Sequence, residues 1–123
     1  MTAMVANPHR GQVSLVAGEA TYTLSMSINA MCALEAHLGR PMGAVMTDIL
    51  AMHGDPSRMS LTLLRAVLWA ALRDHHSVDE AKAGEVMGEV GLPSALAGVT
   101  QAFTLAFPAK KAGADVRPPA ATG

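Results

Sequence analysis

The sequence predicts an α+β domain that is mostly α, with an N-terminal two-stranded β-hairpin packed on a bundle of about five short helices. Apolar residues recur every second position up to Met26 and at helical spacing after it. Half of the 123 residues are hydrophobic but only 3% are aromatic, so the core must be assembled from Ala, Leu, Val and nine Met, a composition that favours helices. Ser, Gly and Pro fall where the helical runs begin and end. A chain of this length has room for one modest core and not for two domains. The expected division is a flexible N-terminus over 1–8, one globular domain over 9–108 (hairpin 9–26, helices 27–107) and a disordered tail over 109–123.

The hairpin rests on Val13, Leu15, Tyr22, Leu24 and Met26, which alternate with polar positions around a turn at Ala17-Gly18-Glu19. Gly18 supplies the positive φ of a short loop. An isolated hairpin is marginal in water, so its apolar face must lie on the helices that follow. The first helix opens at a Ser27 cap, carries Ile28, Met31, Leu34 and Leu38 on its inner side, and closes at Gly39. Pro41 opens a second, with Met42, Val45, Met46, Ile49 and Leu50, which stops at Gly54-Asp55-Pro56.

Ser60 caps a third helix that is apolar nearly all the way round, which places it at the centre of the bundle with Leu61, Leu64, Leu68 and Leu72 as its packing stripe. Ser77-Val78-Asp79-Glu80 reads as a capping box for a fourth helix bearing Ala81, Ala83, Val86, Met87 and Val90, weakened by Gly84 and Gly88. The last helix is expected from Ser94, with Leu96, Val99, Phe103 and Phe107 in line before Pro108. The segment beyond has one large apolar residue, Val116, too little to offset its ordering entropy.

Charge excludes a dedicated nucleic-acid binder. The formal net charge is −1, and because Lys110, Lys111 and Arg117 outnumber Asp115 in the tail, the body carries 6 basic and 9 acidic residues. A small helical DNA-binding regulator, with its basic recognition helix, is therefore the weakest reading. The longest strongly apolar run, Ala66 to Leu72, is too short to span a bilayer, and no export signal opens the chain, so a soluble cytoplasmic protein with no membrane partner is expected. One cysteine, Cys32, forbids an internal disulfide and is expected as a small buried hydrophobe on the first helix.

No catalytic, cofactor or metal site is expected. The histidines are His9, His37, His53, His75 and His76, and the adjacent pair, even with Asp74 or His53, lacks the spacing of a chelate, since neighbours on a helix point about 100° apart. No phosphate-binding loop or nucleophile motif occurs. Glu85 and Glu89 read as a solvated face. The informative residue is Trp69: Arg65 and Arg73 sit four positions before and after it, so an indole lies on the polar stripe of the third helix between two guanidinium groups. One reading has Trp69 cap the bundle with the two Arg stems packed against it; the sharper one makes it an anchor at a protein interface, where Trp and Arg are over-represented among the energetically dominant residues. Met42 and Met46, with Met52 and Met59, are candidates to line an adaptable groove, although Met on a helical stripe is usually core.

Read as a whole, the stretch from Ala6 to Met46 resembles the small tail protein of gene transfer agents and related tailed phages, a family labelled both tail assembly chaperone and tail tube protein. The resemblance is carried by N-P-H-R-G (Asn7 to Gly11) before the hairpin, the Tyr22-Thr23-Leu24 strand, A-L-E-x-x-L-G (Ala33 to Gly39) and L-R-A-V-L-W-A-A-L-R (Leu64 to Arg73), over residues 6–107. It implies a non-enzymatic protein of the bacterial host cytoplasm that binds the tape measure protein, the tail tube protein, or both during assembly, with self-association as a further possibility. The alternative is a structural component of the finished tail. A siphophage tube subunit is usually a β-sandwich, and a chain with strand pattern only over 9–26 favours the chaperone.

Overall fold

The computed structural model describes residues 4–7 and 12–106. A three-stranded antiparallel sheet, β1 (Met4–Asn7), β2 (Gln12–Ala17) and β3 (Ala20–Ser25) in that spatial order, leads into five α-helices. These are α1 (Ile28–Leu38), α2 (Met42–Gly54), α3 (Leu61–Leu72), α4 (Glu80–Val90) and α5 (Leu92–Ala106), with one 3-10 turn, Pro56–Arg58, between α2 and α3. The mostly-α α+β class is as the sequence predicts. The flexible segment expected over 1–8 is corrected at Met4–Asn7, which pairs with β2. Four residues flanked by Pro8 carry too little pattern to show a strand, and the paired edge of β2 supplies what the segment lacks. His9, the tail over 109–123 and Phe107 lie outside the described residues.

Pairing of Ala17 with Ala20 leaves Gly18-Glu19 as a two-residue loop. Only Gly18 in it has positive φ, at 61°, the pattern of a II′ turn. The register sets Val13 opposite Leu24 and Leu15 opposite Tyr22, so the alternating apolar residues share one face, and Val13, Leu15 and Leu24 are wholly buried. α5 lies across that face. At Gly98 an added Cβ would stand 3.1 Å from both Leu15 Cδ2 and Leu24 Cδ1, so glycine is what lets the helix approach the sheet so closely.

α1 is bounded as expected: Ser27 Oγ accepts from the Ala30 amide at 3.0 Å, and Gly39 closes the helix in the left-handed region. Its buried residues are Ala30, Met31 and Leu34, whereas Ile28 is 71% exposed. Ile28 is the first residue of the helix and precedes the turn that meets the core. Cys32 is likewise exposed, a correction to the expected burial, because it sits one position beyond the Met31 contact. Pro41 gives α2 no side-chain cap, and Glu35 of α1 supplies one instead, its Oε2 accepting from the Met42 amide at 2.8 Å. Arg40 pairs with Asp48 across the same junction. Val45, Ile49 and Met52 are buried, Met42 and Met46 half-buried, and Leu50 is turned out to solvent.

α3 is central, as its composition predicts. Eight of its residues are buried, and it packs against α1, α4, α5 and β3. Leu61 is the exception in the expected stripe, 52% exposed at the first position after the Ser60 cap. The capping box at the start of α4 is corrected. Asp79, not Ser77, is the cap, its Oδ1 accepting from the Lys82 amide at 2.8 Å, which leaves the Glu80 carboxylate free to turn elsewhere. Ala81 is exposed, and α5 begins at Leu92, with Pro93 in its first turn instead of before it.

Candidate functional site

The outward stripe of α3 descends from Leu61 through Arg65 and Trp69 to Arg73, residues four apart that share a slowly turning face. Trp69 is half-buried, packed on the core along one edge. The Arg73 guanidinium carbon lies 5.5 Å from the centre of its ring, close enough for a cation–π contact. From α1, the His37 ring approaches the same indole at 5.1 Å between centroids and 44° between planes. His37 Nε2 lies 2.9 Å from Glu80 Oε1 at the start of α4, and Glu80 Oε2 lies 3.7 Å from Arg65 Nε. Arg73, Trp69, His37, Glu80 and Arg65 thus form one continuous set across three helices.

Beside this set, Leu61, Thr62, Arg65, Gly84 and Met87 line a groove of about 250 Å³ between α3 and α4. Gly84 is its floor, since a Cβ there would come within 3.2 Å of Arg65 Cδ. Arg65 Nε is itself buried, and Glu80 Oε2 at 3.7 Å pairs with it by charge at a separation too long for a hydrogen bond. The arrangement offers an apolar recess, an aromatic ring and two guanidinium groups, the elements from which a binding surface can be built.

Of the residues expected to bind a partner, Trp69, Arg65 and Arg73 come together on this surface, and Met42 and Met46 do not. The two methionines pack half-buried against the core from α2. His37 and Glu80 belong to the site and carry no local signal of it: they lie more than forty positions apart in the chain, and only the packing of both α1 and α4 on α3 unites them.

The remaining histidines take separate roles. His53 shares a 2.7 Å hydrogen bond with Thr100 Oγ1 of α5, while Asp74, His75 and His76 turn to the sheet. Glu85 pairs with Lys82 at 3.7 Å, and Glu89 Oε1 accepts from the Tyr22 hydroxyl at 3.3 Å. Among the described residues no group of three or more His, Cys, Asp and Glu is placed to hold a metal ion, and no helix is long and apolar enough to cross a membrane. Compared with family models, curated proteins and solved structures, the chain matches none.

Proposed function

We propose that this chain is a non-enzymatic binding protein that shields an apolar segment of a partner and, following the resemblance in its sequence, that it acts as a phage-type tail assembly chaperone for a tape measure or tail tube protein. The observation that supports a binding role is Trp69, held between Arg73 and His37 one helical turn beyond Arg65, which lines a groove together with Leu61 and Met87. A half-buried indole with its ring orientation set by two neighbours loses little conformational entropy on docking, and an adjacent recess accepts an apolar side chain. The guanidinium groups at both ends suit a partner segment with acidic residues flanking an apolar anchor.

The test is binding of the purified full chain to a tape measure protein and to a tail tube protein from the same source, measured by titration calorimetry, together with the protein composition of purified particles. A chaperone binds one of the two in solution and is missing from the finished particle. Presence in the particle in many copies would overturn the chaperone reading in favour of a structural tail component. Absence of binding to either protein would overturn both.

A further inference from the structure

The free edge of β3 is closed by a short segment after α3, and we propose that Asp74-His75-His76 is an acid-released latch on that edge. This rests on contacts other than those of the α3 stripe and is independent of the function proposed above.

With Gly18-Glu19 as a two-residue loop, Ala17 and Ala20 form the first hydrogen-bonded pair, and bonded pairs then alternate along the ladder. Tyr22 and Leu24 therefore bond to β2, while Thr21, Thr23 and Ser25 turn their backbone groups away from the sheet. An open row of this kind is a hazard that folds cover. Here the cover is side-chain chemistry. The Thr23 amide donates to His76 Nε2 at 2.9 Å, the Ser25 hydroxyl donates to Asp74 Oδ2 at 3.3 Å, and His75 Nε2 lies 3.5 Å from Gln12 Nε2 on β2.

A backbone N–H can only donate, so His76 Nε2 must be the unprotonated nitrogen and its proton must reside on Nδ1. Protonating Nε2 sets donor against donor and removes the bond at the centre of the edge. The groups around the ring favour that sensitivity. His76 packs against Tyr22 of β3, with ring centroids 5.6 Å apart, and its own segment brings His75 beside it. The acidic groups on the adjoining elements are engaged by other donors, Asp74 by Ser25 and Glu89 of α4 by the Tyr22 hydroxyl. Arg73, at the end of α3, is held over Trp69. Partial burial, and then the charge of His75, hold the His76 imidazole below its ordinary value of 6.5. A histidine whose value is lowered by folding binds protons more weakly in the closed state than in the open one. The contribution of the latch is therefore fully present above 6.5 and is lost as pH falls through the lower value of the folded protein.

The test is an NMR titration of the isotope-labelled full chain between about pH 7.5 and about pH 5, the interval in which histidines change charge. The His76 ring should titrate below 6.5, and the Thr23 amide resonance should move with the same midpoint. Exchange protection at Thr23 should fall about fivefold, the scale of one net hydrogen bond, while Tyr22 and Leu24 keep theirs. In His76→Gln, whose side-chain oxygen accepts without titrating, the Thr23 amide should become indifferent to pH; His75→Ala should keep the coupled titration and raise its midpoint. A Thr23 amide that stays fixed while His76 titrates, or that moves equally in His76→Gln, would overturn the latch.

Discussion

Along α3, Leu64, Val67, Leu68 and Leu72 are wholly buried, whereas Leu61, Arg65, Trp69 and Arg73, interleaved with them in sequence, keep contact with solvent. The buried side meets α1, α4, α5 and β3, and every position on it is filled by an aliphatic group. The outer side is lined by residues whose partners are single side chains on other helices, His37 from α1 and Glu80 from α4. One side is held by area removed from water, the other by directional contacts that stay partly hydrated. Stability should therefore depend on the inner side and recognition on the outer.

The sharpest way to break that comparison is Leu68→Ala. Truncating a wholly buried leucine at the centre of the bundle should cost about 2–5 kcal/mol, read as a drop in denaturation midpoint at unchanged slope. Gly98→Val comes next. Its side chain would collide with Leu15 and Leu24, both fully buried and unable to retreat, so a loss of roughly 1–3 kcal/mol is expected in the same measurement.

Trp69→Ala sharpens the comparison from the other side. The indole is already partly exposed, so the fold should lose only about 1–2 kcal/mol. Partner binding should weaken by about 2 kcal/mol, as for an interface anchor. A stability loss as large as that of Leu68→Ala would make the indole a core residue and remove the distinction between the two sides. The smallest effect, and the only one expected to stabilise, is Gly88→Ala. An added Cβ there meets nothing within 4 Å, and replacing glycine in an exposed helix interior should raise stability by about 0.5–1 kcal/mol in thermal unfolding.

Much of the local structure was legible because it depends on neighbours in sequence. The Ser27 cap needs only the Ala30 amide three residues on, and Gly39 only its own backbone freedom. The hairpin face needs only alternation. The failures share a cause. Ser77 and Asp79 are both competent caps with suitable neighbours, and in the fold Asp79 caps the helix while Glu80 pairs with His37 of α1 and Arg65 of α3. Ile28, Leu50 and Leu61 match the helical period and are exposed, because periodicity marks a side of the helix but not how far along it the neighbouring elements extend. Met4–Asn7 became a strand because β2 had an edge to offer.

The candidate site divides in the same way. Arg65, Trp69 and Arg73 were legible as one stripe because helical geometry alone brings residues four apart together. His37 and Glu80 were not, since no rule of spacing connects α1 and α4 to that stripe. The role of Asp74-His75-His76 was equally hidden. In sequence the two histidines are an adjacent pair at the end of the third helical run without the spacing of a chelate, and only the fold sets His76 against the outward amide of Thr23.

What the sequence by itself determined is the order of elements, most of their boundaries, the central place of α3 and the inner face of the sheet, all consequences of short-range periodicity and backbone preference. The tertiary structure decided which apolar residues stay outside, which acid caps α4, what surrounds Trp69 and what closes β3. Each of these depends on a meeting of residues far apart in the chain, and such meetings are selected by the packing of whole elements, not by the preferences of any one of them.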